Sequence, residues 1–503
     1  MPSHTTENLL NDFPLDTLGQ QARINRLYTS VTFCFPLSDS GNDSHDSDDD
    51  SAESTREEVI ETLQQGLDRL ATSFPWTAGQ VIRDDKDGVF KIVKASSAVQ
   101  LASRRLLVVK DLRKDPSVAS WKELQENEFP FRMMDEEVLA PRRTMDADAD
   151  DNSAERPVLL IQANFVRGGG LLLTVSGQHG SMDMAGLAQV IALLAKGMRG
   201  EVYSRQEIEA ANVTRKGRIP LPAEDALPQH EAGINGQQSL EGSDALAFSP
   251  CSAAATYQGP LAWAHIAFSA EDLRYGVKRY ALKEKTWRDF ISRDDALTAL
   301  MWQAISRARE ESYLQHSDPT DDSNNVSPTT RLTRMVDVRQ HFGLPATYPG
   351  LFVTSTAHSG TLQEIAGKRS VGSLALDFRA ALKDTEALKQ SLQKQAAAMI
   401  QDRDAVDKEN IAARTSSGPR LEIKVSSWAK EKLYDVDFGL FLGKPEAIRR
   451  PRFASGAREG LLYFLPETRG SPGGEVVVAL CLREGDMSRL RERGKIVSWG
   501  RWI

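Results

Sequence analysis

Cysteine is scarce: Cys34, Cys251 and Cys481 are the only three in 503 residues. They are odd in number and far apart, and none stands at metal-ligand spacing, which excludes both a disulfide framework and a cysteine zinc site. Cys34 and Cys481 sit in apolar, strand-like runs, where free thiols are normally buried. A reducing compartment, the cytoplasm, is the expectation that follows. Long hydrophobic runs are lacking too; none approaches the roughly 18 residues that cross a membrane. The opening MPSHTTENLLNDFPLD has no basic patch followed by an apolar core, so a secretion signal is not expected. Positive charge is the minority sign, with 62 Lys and Arg against 70 Asp and Glu, a net charge of −8. The short clusters Arg449–Arg450–Arg452 and Arg489–Lys495 do not make the basic stripe that nucleic acid requires. A short-period repeat is also absent, which excludes a solenoid.

What is present belongs to a globular protein. Apolar residues make up 40% of the chain, enough for large cores, and the length suits two domains. Four stretches cannot build a core: Ser38–Glu53 (SDSGNDSHDSDDDSAE), Met145–Glu155, about Pro220–Gly259, and Ser317–Thr330. Ordering them would cost entropy without burial to offset it, so they are expected to be surface loops or disordered insertions. Between them, Thr55-x-x-Glu58 can form a capping box for a helix carrying Ile60, Leu63, Leu67 and Leu70. That helix should stop at Phe74-Pro75, because the proline ring excludes the helical conformation for the residue before it. Val158–Val166 and Leu171–Ser176 flank Gly168-Gly169-Gly170 and predict an antiparallel hairpin. Leu187, Val190, Ile191 and Leu194 predict a helix directly after it. Ser292 can cap another, with Leu297, Leu300, Met301 and Ile305 on one face. Leu421–Ser426 and Glu475–Leu482 predict strands. The fold class is therefore α/β, with strands and helices mixed in both halves.

Chemistry concentrates in LLLTVSGQHGSMDMAG, residues 171–186. A buried strand ends, His179 follows in a tight glycine-flanked turn, and Asp183 stands where the next helix begins. Histidine exchanges protons near neutrality, so His179 is the candidate general base. A satisfied structural histidine is the other reading of these residues alone. Zinc would need three or four ligands, and no His or Cys partners cluster nearby, so no metal is expected. The second segment, residues 425–446, reads VSSWAKEKLYDVDFGLFLGKPE. Asp437-Phe438-Gly439 matches the kinase triplet, yet the glycine-rich loop, strand lysine and catalytic-loop Asp of a kinase are missing. Gly439–Lys444 is one residue short of a phosphate loop, with Pro445 where Ser or Thr should stand.

Taken together, HGSMD and DFG-x-x-x-GKP resemble the BAHD acyltransferases, a coenzyme A-dependent family of the chloramphenicol acetyltransferase-like fold. FPWTAGQ at 74–80, DDALTALMW at 294–302 and VDVR at 336–339 followed by Tyr348-Pro349-Gly350 agree in order. The opening LDTLGQQARINRLYTSVTFCFP and the closing GLFLGKPEAIRRPRF look most like the fungal branch that includes trichothecene O-acetyltransferases. Gln80 departs from the family's Arg, and Leu440-Phe441 replace the Trp-Gly of plant members. Peptide-synthesis condensation domains share the fold but carry adjacent histidines and a Gly after the Asp. This chain has Gln178-His179 and Asp183-Met184, which argues against a carrier-protein substrate.

The resemblance implies two domains, each with a mixed sheet flanked by helices, and a channel between them. The expected division is an N-terminal domain over 1–215, a crossover linker over 216–260, and a C-terminal domain over 261–503 carrying the DFG-type motif. It implies acyl-coenzyme A, most simply acetyl-coenzyme A, as a co-substrate rather than a bound cofactor, and a small hydrophobic alcohol as acceptor. No residue is assigned to coenzyme A binding. His179 would deprotonate the alcohol, while Ser426 and Trp428, matching the family's Thr-Ser-Trp, would support the oxyanion. Asp183 would turn away from His179 and pair with Arg339, and Asp437 and Gly439 would be structural. His265, His341 and His358 are isolated and are expected to be ordinary side chains, though His341 stands close enough to Arg339 to line the channel. The enzyme is expected to be a cytoplasmic monomer without nucleic-acid or membrane partners. Alternatives are a binding or scaffold protein of the same fold, an amine acceptor, or a longer acyl donor.

Overall fold

The computed structural model describes residues 13–37, 48–93, 105–145, 155–221, 259–281, 290–316, 328–401, 421–468, 474–493 and 499–503. Most of the acidic and linker stretches named above, and Cys251, lie outside them. The chain forms two compact units. The first comprises Met1–Arg218, Gly343–Phe352 and Glu431–Gly456, and the second Ile219–Phe342, Val353–Lys430 and Ala457–Ile503.

In the first unit, β2 (Tyr28–Pro36), β5 (Leu107–Asp111), β6 (Leu159–Val166), β7 (Gly170–Gln178) and β12 (Ala447–Arg449) form a sheet in the order β12-β2-β7-β6-β5. A small second sheet joins β1 (Phe13–Pro14), β4 (Phe90–Val93) and β3 (Gln80–Arg83). The hairpin β6–β7 pairs antiparallel from Val166↔Gly170 to Leu159↔Gly177. Its turn needs Gly168 and Gly169, which adopt φ of 83° and 72°. Every residue of β6 and β7 is buried, which is why both read as unbroken apolar runs rather than alternating ones. The helices Asp48–Ser73 and Met184–Met198 pack against each other. Gly66 lies against Met198, too close for any side chain at that position.

The second unit holds β8 (Leu261–Ser269), β9 (Thr329–Asp337), β10 (Val353–Thr361), β11 (Leu421–Ser427), β13 (Leu461–Phe464), β14 (Glu475–Arg483) and β15 (Arg501–Trp502). Their order is β10-β9-β11-β13-β14-β8-β15. The sheet is mixed because β11 runs parallel to both β9 and β13 while the other pairs are antiparallel. The helices Arg293–His316 and Val371–Lys383 bring Trp302, Ile305, Leu374 and Phe378 into one core with Ile423, Val425, Leu462 and Val478 of the strands. Ser292 caps the first of these helices: its hydroxyl accepts from the Asp295 amide at 3.1 Å, and its own amide donates to the Asp295 carboxylate at 2.8 Å.

Two expectations need correction. The first long helix starts at Asp48, not after Thr55, so residues 48–54 are helical rather than part of a disordered insertion. Glu53 is drawn into that first stretch by ion pairs to Arg56 and Arg113. The residue buried a turn before Leu63 is Val59, with Ile60 only half-buried. The helix does end at Ser73, as Phe74-Pro75 demands. The division of the chain also differs from a single cut at the linker. The segment 431–456, with its DFG-type motif, is part of the first unit because β12 pairs with β2 through Ala447↔Cys34 and Arg449↔Thr32.

Cys34 and Cys481 are both fully buried, and burial pushes each thiol up to about 12. Burial disfavours the charged thiolate, so both stay protonated at neutral pH and below. Native protein at pH 7.5 is expected to leave both unmodified by N-ethylmaleimide over an hour, and denatured protein to lose both. Peptide mass mapping checks this; labelling of either residue before unfolding would contradict it.

Candidate active site

His179 is the first residue after β7. Its amide donates to the Leu27 carbonyl at 2.8 Å, fixing where the strand stops. Its Nδ1 lies 3.1 Å from the Met182 carbonyl oxygen. A carbonyl can only accept, so Nδ1 carries the proton and Nε2 is the basic nitrogen of the neutral ring. The ring is half-buried.

The wall behind this turn comes from the start of the chain, and sequence reading gave it no role. Asn25 is fully buried, and its Nδ2 donates to the carbonyls of Gly19 and Gln21, both at 2.7 Å. Its Oδ1 accepts from Gln178 Nε2 at 3.0 Å. The other end of the Gln178 amide accepts from the Ser181 amide at 2.7 Å, while the Ser181 hydroxyl donates to the Gln178 carbonyl at 2.6 Å. Gly180 lies on Asn25 and Gly19 lies on the Gly180 carbonyl, so that a methyl group at either position would clash.

Asp183 is the N-cap of the helix Met184–Met198, accepting from the Gly186 amide at 2.9 Å. Its second oxygen accepts from the Phe352 amide, also at 2.9 Å. Asp16, likewise buried, accepts from the Tyr348 hydroxyl and from the Leu351 amide at 2.9 Å. Two buried carboxylates therefore hold the segment 348–352 beside the histidine turn, and Gly186 leaves room for the Pro349 carbonyl. Asp183 serves backbone amides, the work its place at a helix start favours.

Asp437 and Gly439 lie at the other end of that helix. Arg199, its C-cap, donates to the Asp437 carbonyl. A helix of 15 residues rises about 22 Å, so this turn is remote from His179. The Asp437 carboxylate accepts from the Gly439 amide at 2.9 Å, and Gly439 has φ of 99°. Phe438 is buried against Phe33 and Phe35, each ring centroid 5.1 Å away. These contacts are those of a structural turn.

In the second unit, β11 ends at Ser426 and Ser427, which point to opposite faces. Ser427 donates to Asp294 at 2.6 Å. Trp428 returns to the Ser426 side, and its indole N–H donates to Ser426 Oγ at 3.0 Å. The indole thus acts on the serine oxygen, leaving the hydroxyl proton of Ser426 to be directed elsewhere. Trp428 is buried, with its ring centroid 5.2 Å from that of Tyr463. Arg339, fully buried, donates to the Asp337 carboxylate at 3.0 Å. Asp295 binds both Arg334, at 2.8 Å, and Arg379, which makes the DDALTALMW helix an ionic anchor as well as an apolar one. His265 lies on β8 opposite Ala479. His358 faces the Phe378 ring at 4.7 Å, and burial pushes its imidazole down to about 4. His341 follows Arg339 in a short turn, its amide donating to the Val338 carbonyl at 3.0 Å. Among the described residues no three His, Cys, Asp or Glu side chains are grouped to hold a metal, and no helix is long and apolar enough to cross a membrane.

Comparison with known proteins adds to this geometry. Residues 27–197 match the trichothecene 3-O-acetyltransferase-like N-terminal domain, and residues 122–496 match the Transferase family. The chain is 35% identical to the O-acetyltransferase dmxR13 of Cryptosporiopsis sp. (strain 8999), over 98% of each chain. It is 35% identical to the trichothecene 3-O-acetyltransferase TRI101 of Fusarium sporotrichioides, covering 98% of this chain and 97% of that one. Among solved structures, F. graminearum TRI101 complexed with coenzyme A and deoxynivalenol superposes with a TM-score of 0.79 at 34% identity, covering 98% of this chain and 99% of that one.

Proposed function

We propose that this chain, which belongs to the Transferase family and has a trichothecene 3-O-acetyltransferase-like N-terminal domain, moves an acetyl group from acetyl-coenzyme A to a hydroxyl of a hydrophobic secondary metabolite. It is an acyl-coenzyme A-dependent acyltransferase, as its relatives over the whole length are O-acetyltransferases. The acceptor class, a terpenoid or polyketide alcohol, is part of the proposal, and two of those relatives are named as trichothecene 3-O-acetyltransferases.

The observation that carries the mechanism is the His179 Nδ1–H bond to the Met182 carbonyl, which leaves Nε2 as the base. In the proposed reaction Nε2 takes the proton of the acceptor hydroxyl as its oxygen attacks the thioester carbonyl carbon. The carbonyl π electrons move onto oxygen, and the tetrahedral oxyanion accepts a hydrogen bond from the Ser426 hydroxyl. Collapse forms the ester and breaks the C–S bond, and the departing thiolate recovers the proton from His179. No acyl-enzyme is required. Trp428 polarises and orients Ser426, while Asp183, Arg339, Asp437 and Gly439 are structural. A cytoplasmic monomer is part of the proposal, in keeping with two buried free thiols.

The test is thiol release from acetyl-coenzyme A with a panel of alcohols that includes deoxynivalenol, with mass spectrometry to find a product heavier by one acetyl group. Amines and longer acyl donors in the same panel separate the other transferase readings, and no acceptor-dependent thiol release from any combination would defeat the proposal. Ser426→Ala is expected to lower kcat by about 10²–10³-fold with little change in the KM for acetyl-coenzyme A, as for loss of one oxyanion donor. An unchanged kcat would remove Ser426 from the site.

A further inference from the structure

Arg215 is buried to 1% exposure in the first unit, yet no carboxylate pairs with it among the described residues. Its guanidinium lies against two aromatic rings, 4.6 Å from the Trp76 centroid and 5.2 Å from that of Phe13. Of its polar atoms, Nη1 donates to the Ser181 carbonyl, while Nε and Nη2 find no acceptor among the described residues. The Trp76 indole N–H beside it also finds no acceptor among the described residues. A buried charge with no counter-charge and two idle donors weakens a fold; an apolar side chain of similar volume serves stability as well or better. The aromatic contacts offset only part of that cost. Stability therefore does not explain why an arginine stands here, and its one polar contact becomes the informative feature.

That contact is the middle of the histidine turn. The Ser181 amide and hydroxyl are already engaged by Gln178, and Arg215 takes the remaining backbone group, the carbonyl. The next carbonyl along the chain, that of Met182, is the one that accepts from His179 Nδ1. The Met182 carbonyl belongs to the next peptide unit, whose far side is held by Asp183 at the helix start; anchoring the Ser181 carbonyl holds the near side, and the two together restrict the direction of the Met182 carbonyl, and through it the tautomer and orientation of the ring. We infer that Arg215 is a positioning residue for His179, holding the Ser181 carbonyl so that the Met182 carbonyl keeps the basic nitrogen of the imidazole at Nε2. The inference depends on the reading of His179 as the general base. It extends that reading to a residue outside both sequence motifs.

The test compares Arg215→Met, Arg215→Lys, Arg215→Gln and His179→Ala with the parent enzyme. Steady-state kinetics use acetyl-coenzyme A and the alcohol giving the fastest thiol release. Arg215→Met is expected to lose kcat by about 10–100-fold, the scale of a misplaced catalytic group. The KM for acetyl-coenzyme A should stay within about twofold and the melting temperature within about 3 °C, because a lone buried charge is removed along with its contacts. Arg215→Lys, which can still donate to the Ser181 carbonyl, should recover part of the lost kcat. Without any substrate, the ¹⁵N shifts of His179 should show one tautomer in the parent and a mixture in Arg215→Met. If the Met variant does not fold, Arg215→Gln carries the same kinetic and spectroscopic comparison. Full kcat and an unchanged tautomer in a folded variant would overturn the inference, as would a loss of rate matched by loss of folded protein. An inactive His179→Ala beside a fully active Arg215→Met defeats only this inference, whereas an active His179→Ala defeats the reading beneath it.

Discussion

Replacing His179 by alanine is expected to lower turnover by about 10²–10⁴-fold, the usual contribution of a positioned general base, and to leave the protein folded. The chemical loss is large because an alcohol attacks a thioester effectively only when a base relieves it of its proton, and in the proposed mechanism Nε2 is that base. The structural loss is small. The side chain is half-buried, and its hydrogen bond to the Met182 carbonyl is worth about 1 kcal/mol. Its main-chain bond to Leu27 survives the substitution. Thiol release measures the rate, and circular dichroism melting measures the fold. A folded alanine variant with half of the parent's kcat would remove His179 from the mechanism.

Asp183→Ala should show the reverse pattern, with stability and activity falling together. The carboxylate satisfies two buried amides, those of Gly186 and Phe352. Losing the first removes a helix cap, typically about 1 kcal/mol. Losing the second leaves a buried N–H without its acceptor, about 1–3 kcal/mol. The sum, about 2–4 kcal/mol, should lower the melting temperature by about 4–16 °C for a unit of this size. Activity should fall as well, because the same bonds hold the chain on either side of the His179 turn. Asp183→Asn should lie between: its amide oxygen can serve one N–H while its NH2 meets the other. Urea denaturation and specific activity at 20 °C check both variants. An alanine variant as stable as the parent but inactive would assign Asp183 a direct chemical role, against the geometry described here.

The two variants differ because the neighbouring residues do different work, and the sequence displayed only part of it. HGSMD showed a histidine after a strand and an acid at a helix start, because those are local features of a few consecutive residues. The long apolar run of β7, the glycine turn before it and the periodic Leu187, Val190, Ile191 and Leu194 made the surrounding hairpin and helix legible in the same way. The Ser426–Trp428 bond was half legible: an indole N–H can only donate, so its direction follows from the residue types, but that the two side chains meet does not. The helix start at Asp48 was missed because acidic composition suggested solvated coil, whereas Glu53 is tied down by Arg113 from beyond the helix.

Sequence alone determined the fold class, the family and the identity of the candidate base, because strand and helix periodicities and short motifs are written in neighbouring residues. Tertiary structure decided what surrounds that base. Asn25 meets Gln178, Asp16 and Asp183 hold residues 348–352, the DFG turn joins the first unit through β12, and Arg215 reaches the Ser181 carbonyl. Each of these pairings is a buried polar group finding its partner far along the chain, and that choice exists only once the cores have closed around them.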